Sequence, residues 1–73
     1  MTKAQILQTI GNDTLSAKGI AFYAGVDAPS EVLIRIQDAC WELCNQGVLV
    51  AWDLRDRKHG CLFFQKATPP IHL

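Results

Sequence analysis

The feature that most constrains the fold of this chain is an amphipathic pattern over residues 28–46. At about 100° per residue, one broad stripe of this segment is apolar and the opposite side is polar. Asp27 is a candidate N-cap, Pro29 falls in the first turn, and Gly47 supplies a stop. The pattern therefore predicts one long helix with a single buried side. The stripe contains Val32, Leu33, Ile36, Ala39, Cys40, Leu43 and Cys44.

Two shorter helices are predicted before this one. Thr2 can cap the first, which ends at Gly11, and Ser16 can cap the second, which ends at Gly25. A polar turn over residues 12–14 separates them, and Leu15 is an isolated apolar residue. The apolar positions of the two helices are Ile6, Leu7 and Ile10, followed by Ala17, Ile20, Ala21, Phe22 and Ala24.

After Gly47 the hydrophobic period changes from helical to alternating. Val48, Val50, Trp52 and Leu54 fall on one face of a predicted strand, and Leu49, Ala51 and Asp53 fall on the other. A polar loop over residues 55–60 joins it to a second strand over residues 61–64, which predicts a hairpin. The remaining residues, 67–73, contain a Pro-Pro pair and are predicted to form an extended tail.

Length and charge restrict the classes of function. A chain of 73 residues holds one domain with a small core. Seven Lys and Arg against seven Asp and Glu give a formal net charge of zero, which argues against a surface that grips any polyanion. The longest aliphatic and aromatic run covers residues 48–52, too short to span a membrane, and an odd cysteine count does not suit a secreted disulfide framework. We expect a cytoplasmic protein with no membrane partner.

Three helices followed by a hairpin resemble a winged helix-turn-helix domain. The resemblance is carried by Ile20-Ala21 placed before Gly25-Val26, and by the stretch from Leu43 to Leu49 that ends the long helix. It implies an α+β, mostly α fold, with a three-helix core and a C-terminal two-stranded β-hairpin wing over residues 1–66, and a tail over 67–73. The 22 residues from Gly25 to Gly47 exceed the commonest spacing of the family, so the third helix or the turn before it is extended.

The resemblance implies a small regulator that contacts duplex DNA. In the family, the start of the third helix enters the major groove and the wing contacts phosphates or the minor groove. Here Arg35 could donate two hydrogen bonds to a guanine edge and Ser30 could reach a phosphate. The alternative is that Arg35 only balances Glu31, Asp38 and Glu42 on a solvated helix face.

The wing is the better candidate for phosphate contact. Residues 1–47 carry three cations and five carboxylates, a net charge of −2, whereas residues 48–73 carry four cations and two carboxylates, a net charge of +2. Three of those four cations are close together, beside a histidine, so this loop is a candidate phosphate contact. Solubility alone would also favour a charged hairpin loop. The candidate residues are Arg55, Arg57, Lys58 and His59.

No catalytic constellation, cofactor motif or metal-ligand spacing is evident. Cys40 and Cys44 are four residues apart on one helix, and with Cys61 and His59 they could form a zinc site or a redox switch. Both helix cysteines fall in the apolar stripe, where a thiol behaves as a small hydrophobe, and paired metal-cysteine spacing is absent. The sequence therefore predicts a non-enzyme without cofactor or metal.

A homodimer is expected, since so short a chain supplies little core and regulators of this type usually read two half-sites. The candidate interface residues are Ile6 and Ile10 on the first helix, and Ile34 and Trp41, which share a flank of the third helix beyond its stripe. The tail could instead cover that flank. The competing hypothesis for the whole chain is a winged-helix module or homodimeric adaptor that binds protein and not DNA.

Overall fold

The computed structural model describes residues 1–53 and 62–67, which form three helices and a three-stranded antiparallel sheet. In chain order the elements are α1 (Lys3–Ile10), β1 (Leu15–Ser16), α2 (Ala17–Ala24), α3 (Ser30–Asn45), β2 (Leu49–Asp53) and β3 (Leu62–Lys66). The fold is thus α+β and mostly helical, as the sequence predicts. None of the helices in the described ranges has the length and apolar character needed to cross a bilayer.

The ends of α1 and α2 confirm the predicted caps. Thr2 forms a capping box with Gln5, in which its hydroxyl accepts from the Gln5 N–H at 3.2 Å and its own N–H donates to Gln5 Oε1 at 2.8 Å. The Ser16 hydroxyl accepts from the Gly19 N–H at 3.1 Å at the start of α2. Gly25 ends α2 with φ of 69°, a left-handed conformation that glycine adopts without strain.

The long helix α3 begins later than predicted. Its N-cap is Pro29, which makes no side-chain capping hydrogen bond, so Asp27 is not the cap. The physical reason is local: the proline ring disfavours helical geometry at the residue before it, which keeps Ala28 outside the helix and leaves Asp27 two positions from the cap. At the other end Gly47 follows the helix with φ of 77°, in agreement with the predicted stop.

The hairpin is confirmed and a third strand joins it. The sheet order is β1-β3-β2, with Ala51 opposite Phe64 and Trp52 opposite Phe63 in the β2–β3 pair. β1 lies on the other side of β3 and places Leu15 opposite Phe64. The sequence pattern does not predict β1, because two residues are too few to show an alternation.

One core joins all three helices to the inner face of the sheet. Five side chains have almost no accessible surface: Phe64, Ile6, Ile10, Ile20 and Cys40. The predicted stripe of α3 is confirmed, because its members are buried or half-buried and the polar side of the helix is exposed. On α2 the pattern is only partly right. Ile20 is buried, but Phe22 and Ala24 are exposed.

Candidate nucleic-acid interface

The solvent-exposed side of α3 holds two of the predicted DNA contacts. Ser30 is the first residue of the helix and Arg35 lies just over one turn later, both exposed. Glu31 and Asp38 are exposed on the same helix, four residues before and three residues after Arg35, so two carboxylates flank its guanidinium. A phosphate would meet repulsion from both carboxylates, whereas a single Arg35 fork could still pair with a base edge.

Packing on both sides holds α3 firmly in place. Its buried side contributes Ile36, Cys40 and Leu43 to the core. Lys3 of α1 forms an ion pair with Glu42 of α3, with Nζ and Oε2 2.6 Å apart, at a position where both side chains keep substantial solvent exposure. Such a pair orients side chains more than it stabilises the fold. The core-facing side therefore fixes the position of α3, and with it the position of the exposed side.

The structure separates the four predicted interface residues into two pairs. Ile6 and Ile10 are fully buried in the core of a single chain, which leaves no surface for the partner contact expected of them. They pack inward because α1 is covered by α2, α3 and β3. Ile34 and Trp41 remain at the surface, 60% and 42% exposed. Trp41 also contacts the core, because its ring packs edge to face against that of Phe64 with the ring centroids 5.8 Å apart.

The predicted wing contacts, Arg55, Arg57, Lys58 and His59, lie outside the described residues, as does Cys61. The other two cysteines are on the buried side of α3. Burial raises the pKa of the Cys40 thiol from 9.0 to about 12, with the nearby Cys44 as a smaller cause, and burial also raises the pKa of Cys44. Both thiols are therefore protonated and poorly nucleophilic at neutral pH.

No three His, Cys, Asp or Glu side chains in the described ranges are grouped so that they could hold a metal ion. Cys40 and Cys44 are both free thiols there. Their surroundings are those of packed apolar side chains, since Cys40 belongs to the core cluster and Cys44 packs against it.

An apolar surface on the sheet was not predicted as a site. The outer face of the sheet carries a shallow groove of about 370 Å³ lined by Thr14, Trp52, Phe63 and Gln65. The Thr14 hydroxyl and Gln65 Oε1 are hydrogen-bonded at 3.0 Å across its floor. The sequence of β2 could have indicated this surface. Apolar residues occupy both faces of the strand, and the core can cover only one of them.

A second exposed apolar feature lies on α2. Phe22 and Tyr23 are 78% and 68% exposed. Their rings pack edge to face with the centroids 5.5 Å apart. Adjacent residues on a helix point in different directions, so the core cannot cover both rings together with Ile20 and Ala21. Sequence periodicity marks Phe22 as an apolar position but does not distinguish an exposed ring from a buried one.

No protein-family model matches this chain, and the comparisons with curated proteins and with solved structures found no match either.

Proposed function

We propose that this chain is a winged-helix domain that binds duplex DNA as a small transcription regulator. The start of α3 would lie in the major groove, and the loop residues Arg55, Arg57, Lys58 and His59 would contact phosphates. The observation that supports this proposal is the order of elements, α1-β1-α2-α3 and then the antiparallel pair β2-β3, together with the exposure of Ser30 and Arg35 in the N-terminal half of α3. Two copies would allow contact with two half-sites.

The charges of α3 define how it would read DNA. Arg35 is the one cation on this helix, so its role is base recognition through the guanidinium fork and not general attraction to the backbone. Glu31 and Asp38 oppose phosphate, which assigns most of the electrostatic attraction to the loop. Binding is therefore expected to be weak on mixed sequence and to depend strongly on the base that faces Arg35.

The test is a titration of a labelled, mixed-sequence duplex with the full chain, in which fluorescence anisotropy reports binding. The titration is repeated at salt concentrations from about 50 to about 200 mM. Binding at the lowest salt, weakened progressively as salt rises, supports the proposal. Affinity that is undetectable at about 50 mM salt, where even a few phosphate contacts register, would contradict it. Replacing Arg57 and Lys58 together by Ala is expected to reduce the salt slope by about 1.8.

A selected binding sequence then tests the role of α3. Arg35→Ala is expected to weaken binding by about fivefold to 150-fold and to relax the preference at one base position. Arg35→Lys keeps the charge but loses the fork, so it should lose the base preference as well. Lys66→Ala removes the same charge from an exposed position at the end of β3 and serves as the matched control, with affinity close to that of the unaltered chain.

A second candidate function, a protein-binding adaptor, is supported by the Phe22–Tyr23 pair. Two aromatic rings exposed side by side are typical anchors of protein interfaces. The acidic polar side of α3 agrees with the same function, because it discourages phosphate. This candidate predicts no measurable affinity for DNA at low salt, so the titration above distinguishes it from the first.

A further inference from the structure

One edge of the sheet is formed by β2, and its backbone pattern can be assigned. The N–H of Ala67 donates to the carbonyl of Val48 at 3.0 Å, in register with the pairs of β2 and β3. Backbone groups in an antiparallel strand alternate in direction, so Val50 and Trp52 direct their N–H and C=O groups toward β3. The Val48 carbonyl also faces β3, whereas its N–H donates to the Leu43 carbonyl at 2.9 Å. Leu49 and Ala51 therefore direct their N–H and C=O groups away from β3. In residues 1–53 and 62–67, no strand pairs with β2 along that outer edge.

The side chains of β2 and of Val48, the residue just before it, leave an apolar row at the surface. Val48, Val50 and Trp52 are 37%, 39% and 50% exposed, and they share the outer face of the sheet. Exposed edge strands are usually protected by Lys, Pro or a bulge. Residues 48–52 contain no charged residue and no proline, and the pairing of β2 with β3 runs without a bulge. Within residues 1–53 and 62–67, this edge is open to pairing.

We propose that β2 pairs with β2 of a second copy of this chain, antiparallel, across a twofold axis at Val50. In this register Leu49 lies opposite Ala51 of the second copy, and Ala51 lies opposite its Leu49. Each of these is a hydrogen-bonded pair that exchanges two bonds, so the four outward N–H groups of the two copies all donate across the axis. The two sheets become one continuous six-stranded sheet.

The same register joins the two exposed apolar rows. Val50 lies opposite Val50 of the second copy. Val48 of each chain lies opposite Trp52 of the other. These are non-hydrogen-bonded pairs, in which the Cα atoms approach to about 4.5 Å and side chains pack most closely. Pairs of a β-branched residue with an aromatic one are favourable across strands. The register places Asp53 opposite Gly47, so no two charged residues of β2 face each other.

A second copy of this chain fits the uncharged edge of β2 better than an acidic or a basic peptide does. A twofold interface must be complementary to itself, and a row of neutral apolar residues meets that condition without repulsion. The row offers no charge with which to select an acidic or a basic peptide. A shift of register by two residues, which moves the axis to Ala51, would instead place Leu49 opposite Asp53 and leave Val48 without Trp52. The register at Val50 is the one that pairs every exposed apolar residue.

The first test is the mass of the full chain in solution by sedimentation equilibrium, from about 5 to about 500 µM. Association from 8.1 kDa toward twice that mass is expected. Val50→Lys sets two like charges opposite each other at the axis and should weaken the dimer at least about tenfold. Val50→Thr keeps a neutral, β-branched residue and should dimerise. Ile34→Lys, at an exposed position of α3, should leave the association unchanged.

A charge exchange tests the register itself. Val48→Lys and Trp52→Glu should each weaken association, whereas the double variant restores it, because the two new charges become cross-strand partners. In parallel, amide exchange by NMR should show the Leu49 and Ala51 N–H groups gaining protection as concentration rises. Circular dichroism of each variant at low concentration confirms that the monomer folds.

Four results would overturn the proposal. The chain could remain a monomer at the highest concentration, or Val50→Lys could dimerise as well as the unaltered chain. Ile34→Lys could abolish association while Val50→Lys does not, which would place the interface on α3. A dimer whose Leu49 and Ala51 amides gain no protection would equally exclude edge pairing, whatever its affinity.

Discussion

Helix α3 and strand β2 are consecutive elements, yet they divide polar from apolar residues differently. In α3 the buried side carries Ile36, Cys40 and Leu43, and the polar residues lie on the exposed side. In β2 the inner face carries Leu49 and Ala51, and the outer face is equally apolar. A solvated surface accounts for the exposed side of α3. It does not account for the outer face of β2.

The difference shows which exposed surface needs an explanation. Scattered exposed apolar residues are normal on a small protein, but a contiguous row on one strand, beside a groove lined by Trp52 and Phe63, is a typical interaction surface. On α3 the comparable exceptions are Ile34 and Trp41, and Trp41 already packs against Phe64. The contrast therefore favours the sheet over the helix as the surface where the proposed second copy would bind.

The largest expected effect comes from the inner face of the sheet. Phe64 has no accessible surface and lies against Leu15 and Ala51 as well as Trp41. Phe64→Ala is expected to lower the free energy of unfolding by about 3–5 kcal/mol, because it removes a large buried ring and leaves a cavity. Urea unfolding, followed by far-UV circular dichroism, measures the change. If the variant does not fold, Phe64→Leu provides a milder loss to measure.

The matched change on the outer face is Trp52→Thr. It removes a larger side chain, but from a position that is 50% exposed, and Thr retains high strand propensity. At a concentration low enough to keep the chain monomeric, the loss should stay below about 1 kcal/mol. Equal losses for Phe64→Ala and Trp52→Thr would mean that both faces are buried in the monomer, and the contrast between the two faces would not hold.

The second effect, on the buried side of α3, is a loss of stability at high pH. The pKa of Cys40 is about 12 in the folded chain against an ordinary 9.0, because burial disfavours the thiolate. As pH rises above 9.0 the unfolded chain releases this proton and the folded chain keeps it. The folded state therefore loses up to about 1.4 kcal/mol of stability per pH unit until the folded pKa is reached, and nothing is lost below 9.0.

Comparison with Cys40→Ala isolates this contribution. Lysines and tyrosines also titrate in the alkaline range, so the informative quantity is the difference between the two unfolding curves at each pH. The advantage of the unaltered chain should shrink between pH 9 and about 10.5 by roughly 2 kcal/mol. Cys44→Ala should show a smaller slope, since Cys44 is only partly buried. A constant difference across this range would show that Cys40 titrates normally in the folded state.

Local sequence rules predicted the helices of this fold well. The caps at Thr2 and Ser16 follow from a hydroxyl beside free N–H groups, and the stripe of α3 follows from helical periodicity over many residues. Strand β1 could not be predicted in this way. Its two residues are held by pairing with β3, nearly fifty positions away in sequence, and no local pattern encodes that contact.

The candidate site was harder to predict for a related reason. Ser30 and Arg35 could be assigned to the exposed side of α3 because that side is defined by the stripe. Whether an apolar residue is buried depends on which neighbours cover it. Ile6 and Ile10 were assigned to an interface but are covered by the rest of the chain, whereas Phe22 was assigned to a helix pattern and is exposed. Tertiary packing decides such cases, and periodicity only restricts them.

The smallest expected effect concerns the one ion pair that joins α1 to α3 in the described part of the chain. Glu42→Gln removes the charge opposite Lys3 and keeps the shape of the side chain. Both groups are substantially exposed, so the loss of stability should be no more than about 0.5 kcal/mol and should vanish at high salt. Urea unfolding at low and high salt measures it, with Asp13→Asn, at an exposed position outside the helices, as a control that removes one negative charge without breaking the pair. A loss comparable to that of Phe64→Ala would mean that the polar side of α3 helps to hold the fold together, which would remove the distinction between a solvated helix side and a buried one.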